Sequence, residues 1–472
     1  MKKRILVAMT LVLLVCGTAF AGGASESPKA SAEPKTVEWW DHFLPLAELH
    51  KGLFAESEAE TGVPIVYTQY DPAKQNEALL LAFRTNSCPD VFSKTMSVSE
   101  VSMYKEGWFS PLAVEKKDLP QYIQDALFEG YTMFDGKVYS FPSMSINHNA
   151  LLWYHADQLA EEAVPGTFDE ARALAKKITA ESGRKQYGFI VPIAFTQRMN
   201  DTIEDLMMAS GSPGWIDWNT GEYQYASDAA FKVFEFFTGL YDDGSVHPAS
   251  VNLDMRAARE RWAAGEAALL MDGAWNIGVV KSSFPEIYDS VGVVGPLRVD
   301  ASQDYMVYKT PPKGNFFISA NSDAVEAATH TLLKFMGEEY YIGLARNMDQ
   351  PPLDLSAVGR ANVHPSYEKL CGIFSETMGY RPDPILGNLN VAQVNTEMRE
   401  IHPNPAEILQ GYYSGAIKDW KSELVKYNDA MTAERARAVK KVQSQGVDVS
   451  LDDWIFPNFT YGESFLSDMY TK

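Results

Sequence analysis

Four short stretches of this 472-residue chain carry side chains suited to chemistry: Trp39-Trp40-Asp41-His42, Tyr70-Asp71, Ser93-Lys94 and Asp272-Gly273-Ala274-Trp275. Each closes a run that reads as a β-strand. Flat aromatic rings can cover the apolar C–H face of a pyranose, while carboxylates, amides and cations bond its hydroxyls. The mixture therefore suits a sugar. Alternate residues of a strand face opposite sides, so at least one of Trp39 and Trp40 is expected in a core. Lys94 and Asp71 taken singly also read as solvated surface charges. Two carboxylates flanking a bound sugar would make a glycosidase, and Asp41, Asp71, Asp90 and Asp272 are available. No G-x-S-x-G, phosphate loop or G-x-G-x-x-G is present, and nothing marks a nucleophile. Carboxylates at strand ends serve binding as readily as catalysis, so binding leads and no catalytic residue is assigned.

These stretches need elements to position them. Residues 36–43 read as a strand, 45–61 as a helix stopped by Gly62, 64–70 as a strand, 74–84 as a helix and 89–92 as a third strand. Strands alternating with helices predict an α/β domain with a largely parallel sheet. In open α/β sheets, ligands bind beyond the carboxyl ends of the strands. At the centre lies 135–155, DGKVYSFPSMSINHNALLWYH. Asp135-Gly136 marks a tight turn, 137–141 alternates as a strand does, and Pro142 should end it. A polar run follows, and 150–154 is apolar enough for a buried strand. The pair is either a hairpin or a chain leaving one sheet for another.

Further on, Asp157 can cap a helix, and Thr167 with Glu170 forms a capping box before 171–178. Strands are expected at 187–193, 267–271 and 316–320. Helices are expected at 203–209, 226–242, 255–264 and 323–337, with Trp275 opening another. Residues 211–221 read as a loop. The last hundred residues read as mostly helical, notably 397–413, 416–431 and 433–445. A second α/β domain follows from this alternation.

The chain is too long for one compact core. Its formal charge of −21 argues against nucleic acid or anionic membrane surfaces as partners. Lys2-Lys3-Arg4, an apolar run and Ala19-Phe20-Ala21 make residues 1–21 a signal peptide, cleaved before Gly22. Lipid attachment at Cys16 is the rival fate. Residues 22–35 are a Gly/Ala/Ser/Pro-rich tether. Cys88 and Cys371 are expected as unpaired thiols. The eight histidines show no zinc spacing, and no metal or cofactor is expected.

Several motifs together resemble one family. Asp135-Gly136-Lys137, Tyr139, Pro142, Leu152, Tyr154 and Asp157 resemble D-G-K-x-Y-x-x-P…L-x-Y-N-K-D, with His155 in place of Asn. Residues 166–170 resemble P-x-T-W-D-E, with Phe168 for Trp. Residues 262–275 resemble F-x-x-G-K-A-A-M…G-x-W, with Trp262 for Phe and Glu266 for Lys. The family is the extracellular solute-binding proteins of carbohydrate-type ABC importers, similar in fold to maltose-binding protein. The resemblance implies an α/β, two-lobe periplasmic-binding-protein fold of type II, with a ligand cleft between lobes joined by a multi-segment hinge. Lobe one would be 36–147 with 310–360, and lobe two 148–309 with 361–472. It implies an extracytoplasmic monomer that captures a sugar or oligosaccharide and hands it to a membrane permease. Hinge closure around the ligand would be the signal the permease reads.

Carried over by position, lobe one would supply Trp40, Asp41, His42, Lys94 and Asn315, the crossing Ser145 and His148, and lobe two Gln197, Asp272 and Trp275. A polyamine or glycerophosphodiester is the alternative cargo, and a secreted glycoside hydrolase or lyase the alternative class. An anionic cargo would want Arg, which is scarce at these strand ends.

Overall fold

Trp39 and Trp40 decide how the first strand sits. Val37, Trp39 and Asp41 turn inward while Glu38 is exposed and Trp40 half-buried, the period-2 pattern of a strand covered on one face. The Trp39 ring packs on Phe54, Phe316 and Phe335 at 4.8–5.5 Å. Phe54 lies on the helix Ala47–Thr61, which ends as expected at Gly62 with φ 71°. The computed structural model describes residues 35–95 and 98–470. The signal segment, Cys16 and nearly all of the tether lie outside the described residues.

In chain order the strands are β1 (Val37–Asp41), β2 (Ile65–Gln69), β3 (Val91–Ser93), β4 (Phe109–Ser110), β5 (Met133–Phe134), β6 (Lys137–Val138) and β7 (Leu151–His155). They continue with β8 (Tyr187–Ile190), β9 (Ala267–Asp272), β10 (Val291–Val294), β11 (Val307–Lys309), β12 (Phe316–Ser319) and β13 (Met378–Tyr380). One sheet has the order β2-β1-β3-β12-β4 and a second β10-β7-β9-β8; β11-β13 and β5-β6 make two-stranded ribbons.

Each main sheet is largely parallel, as expected, but has one reversed strand. β12 runs against β3 and β4, and β7 runs against β9 and β10. The physical reason lies in how the chain arrives. β2 and β3 follow β1 through helical crossovers, which keep strands parallel. β7 and β12 receive the chain directly from the region of the other sheet. Leu151, the first residue of β7, pairs with Asp272, the last of β9. Phe316, the first of β12, pairs with Ser93, the last of β3. Both passages therefore enter at carboxyl strand ends. The carboxyl ends of the two sheets face the passages that join them.

The central stretch divides where these passages begin. Asp135 (φ 49°) and Gly136 (φ 72°) turn a hairpin between β5 and β6. The strand expected over 137–141 stops at Val138, and β7 belongs to the second sheet, so the hairpin alternative for 137–154 is excluded. Beside this passage runs a later one: Leu353 N–H donates to Ser143 O at 3.0 Å and Ser145 N–H to Pro351 O at 2.9 Å. Gly278 lets the helix Asn276–Ser283 lie against the same later passage. A Cβ there would come within 2.6 Å of Met348 O.

Other expectations shift. Asp157 caps no α-helix; a turn and a 3-10 segment, Glu161–Ala163, follow it. The helix expected from 203 begins at Thr196, its first turns being polar. The helix expected over 397–413 is split into Val391–Glu397 and Pro405–Tyr413. Pro403 and Pro405 cannot donate to a helix interior, and Asn404 forms a capping box with Glu407. The two helices expected beyond it are one, Trp420–Gln443. Thr167 and Glu170 make the expected capping box. One apolar cluster runs from Trp39 of the first sheet to Trp153 of the second and to Trp262 on the helix Met255–Ala263. Cys88 and Cys371 are both free thiols.

Candidate functional site

At the carboxyl end of β1, Asp41 is wholly buried. Its Oδ2 accepts from His50 Nδ1 at 2.6 Å and from Tyr67 Oη at 3.1 Å, and its Oδ1 from Phe43 N–H at 2.9 Å. Burial pushes the carboxyl pKa up, but the hydrogen bond and charge of His50 outweigh it and hold it below the usual value. Asp41 is thus spent on tying the strand end to the helix behind it. Its neighbours differ. Trp40 is half-buried and tilts on Tyr70 at 5.1 Å. His42, also half-buried, places Nδ1 2.6 Å from Ser93 Oγ, and burial lowers its pKa. Lys94, just past β3, pairs with buried Glu100 at 3.0 Å, and Lys313 reaches the other oxygen of Glu100 at 3.5 Å.

The passages add polar groups. Asn315 Oδ1 accepts from Ser143 N–H at 2.7 Å and Ser143 Oγ at 2.9 Å, which locks its amide across two passages. Ser145 Oγ is buried without a hydrogen-bond partner. His148 is wholly buried, with Nδ1 accepting from Ala150 N–H at 3.2 Å and Nε2 unpartnered. Burial first, and Lys309 second, push its pKa down to about 3. It stacks edge-on to Phe374 and stays neutral at physiological pH.

Asp272 closes β9 and is also wholly buried. Oδ2 accepts from Arg259 Nε at 2.5 Å; Oδ1 accepts from Arg259 Nη2 at 3.1 Å, Gly273 N–H at 2.7 Å and Trp275 Nε1 at 3.1 Å. The backbone turn at Gly273 brings the indole back over it; a Cβ on that glycine would come within 2.2 Å of the Trp275 ring. Trp275 is the N-cap of the helix Asn276–Ser283 and is half-buried. The Arg198 guanidinium lies over its ring, 4.4 Å from the centroid. Gln197, one residue earlier, is exposed and lines a cavity of about 630 Å³ with Asn200, His402, Glu407 and Tyr427.

The carboxyl ends of two sheets, joined by passages that enter there, thus carry half-buried aromatic rings among hydrogen-bonding groups. No cluster among the described residues could hold a metal ion. No helix among them is long and apolar enough to cross a membrane. The sequence profile of the bacterial extracellular solute-binding proteins matches residues 52–341, more than half of the chain. The chain belongs to that family.

No curated protein matches this solute-binding protein in sequence. Solved structures match it in fold. The GacH receptor of Streptomyces glaucescens, determined unliganded and with acarbose, is 19% identical, with a TM-score of 0.60 over 87% of this chain and 99% of its own. The sugar-binding protein MalE of Xanthomonas citri is 14% identical, with a TM-score of 0.63 over 88% and 100%. MalE of Listeria monocytogenes in complex with maltose is 16% identical, with a TM-score of 0.59 over 85% and 99%. The expected α/β periplasmic-binding-protein fold with two lobes is the fold of the chain.

Sequence reasoning missed the cations of the second sheet. Arg198 and Arg259 both approach Asp272, at 3.6 and 2.5 Å, so arginine is not scarce at this strand end. Arg198 sits in the polar first turn of a helix that the apolar periodicity placed too late. Arg259 lies on a helix whose charged face reads as solvated. Its one sequence signal is its position three residues before Trp262, on the amphipathic helix leading into β9.

Proposed function

We propose that this solute-binding protein captures a sugar or oligosaccharide between the two sheets and delivers it to the permease of an ABC importer. The observation that carries the reading is the pairing of Trp40 with Trp275. Each is a half-buried indole at a carboxyl strand end, one per sheet, beside groups that bond hydroxyls. The relatives of like fold include proteins solved with acarbose and with maltose. Lobe one is 36–147 with 310–360 and lobe two 148–309 with 361–472; the ligand sits in the cleft and draws them together.

Within the ligand set, Trp40 and Trp275 stack. His42, Lys94, Ser145, Asn315 and Gln197 hydrogen-bond. Asp41 and Asp272 act through the groups they hold, and His148 supports the passage it is buried in. The same two aspartates speak against hydrolysis, because each is already committed to cationic or hydrogen-bonding neighbours. The protein works outside the cytoplasm and has no enzymatic turnover.

A thermal-shift screen of the mature chain against mono- and oligosaccharides tests the reading, because a ligand that binds only the folded state raises the melting temperature. Saccharides should raise it, and chromatography of the incubated ligand should show it intact. A polyamine that shifts the melt while every sugar fails would replace this reading.

A further inference from the structure

We infer that the preferred saccharide is acidic, with a carboxylate on its ring met by Arg198. The inference rests on the saccharide reading above and names the class of sugar. It begins with how fully Asp272 is used. A carboxylate offers about four lone-pair sites, and Asp272 already accepts four hydrogen bonds, from Arg259 twice, Gly273 N–H and Trp275 Nε1. Arg198 arrives as a second guanidinium at Oδ1, the oxygen that already accepts three of those four bonds. Its Nη1 stops 3.6 Å from Oδ1, is buried and hydrogen-bonds nothing. An unmade bond at a buried charged donor is costly, and an incoming oxyanion would supply the acceptor.

The position of that guanidinium selects the ligand further. It covers one face of Trp275 at 4.4 Å, and the exposed ring of Phe195 lies 5.8 Å from it. A neutral pyranose stacking on that face would have to displace it. Left in place over an aromatic ring, a guanidinium keeps a fork of N–H groups in its plane, and that fork fits a planar carboxylate with two parallel bonds. Of the neighbouring acids, Asp205 is engaged elsewhere. Asp205 holds Lys309 and the Asn149 N–H. Asp201 and Asp349 flank Arg198 and Arg259, and burial raises both of their pKa values. The first sheet repeats the two-cations-per-carboxylate arrangement, with Lys94 and Lys313 on Glu100.

The test is calorimetric titration of wild type and Arg198→Gln with galacturonate, glucuronate and their dimers, each beside its methyl ester and its neutral parent sugar. Galactose 6-sulfate forms a further arm. A uronate should bind wild type roughly 10- to 100-fold tighter than its methyl ester, with affinity falling as salt rises. In Arg198→Gln that ratio should shrink towards one while the ester's affinity holds. Neutral sugars binding as tightly as uronates in wild type would overturn this inference and leave the saccharide reading standing. Preference for the sulfate ester would overturn the carboxylate assignment. Failure of every sugar would overturn both readings. The wild-type comparison decides the question even if the variant does not fold.

Discussion

Asp41 and Asp272 occupy matching places, the last residue of a central strand in each main sheet, and both are wholly buried. They are balanced differently. Asp41 is held by His50, buried behind the strand with Phe335 and Tyr340, and by half-buried Tyr67 of the neighbouring strand β2. Asp272 is held by two arginines and an indole, all partly exposed. The same residue at the same point of two sheets thus fastens a helix in one and displays cations and an aromatic ring in the other. A strand-terminal aspartate is a scaffold in both. What it holds decides whether the aspartate ties the strand end into the core or displays charged and aromatic groups at it.

The largest effect should come from Asp272→Ala. It leaves two guanidiniums together in a partly buried site without their carboxylate, and breaking such a pair costs about 3–5 kcal/mol. Urea unfolding should show that loss; a change below about 1 kcal/mol would mean the arginines relax into solvent and the site is less built than described.

The passage between the sheets gives the next effect. His148 is neutral in the fold with a pKa of about 3, against about 6.5 when unfolded. A depressed folded pKa stabilises above the unfolded value and loses that stability as pH falls through the interval towards the folded value. Between pH 6.5 and 4 the loss should be roughly 3 kcal/mol. His148→Gln should flatten that part of the stability–pH curve. An unchanged slope would remove His148 from the account of acid sensitivity.

Asp41→Asn should cost less than Asp272→Ala, on the order of 1–3 kcal/mol. Its partners are an imidazole and a phenol, where Asp272 faces two guanidiniums that stay charged. The Asp41 carboxyl sits below its ordinary 3.8 in the fold, so its contribution is complete above about pH 4 and is lost only as pH falls further. It should leave the interval assigned to His148 untouched. Equal costs for the two aspartate variants would erase the contrast between the sheets.

The sequence made much of this legible. Strand ends announced themselves because aromatic and acidic residues closed apolar runs, and Gly62, Gly273 and the Thr167 capping box marked boundaries that local chemistry sets. The one reversed strand in each sheet was not legible, because it depends on which end of a sheet a passage enters. The partners of Asp41 and Asp272 were not legible either. His50 comes from nine residues on and Arg198 from seventy-four residues back, and neither distance leaves a periodic trace. Pro403 and Pro405 could have signalled the split of the C-terminal helix, since neither can donate inside one.

The central claim is that one ligand is gripped from both sheets at once. Calorimetric titration of a saccharide found by the screen, against wild type, Trp40→Ala and Trp275→Ala, tests it most directly, with urea unfolding of each variant as the control. The account predicts that both substitutions weaken binding by at least about tenfold, the scale of a lost aromatic contact with its packing, while each apo variant keeps most of its stability. If either variant binds as wild type does, or loses stability by the 3–5 kcal/mol of a core aromatic with affinity intact, that sheet does not hold the ligand and the two-sided grip is wrong.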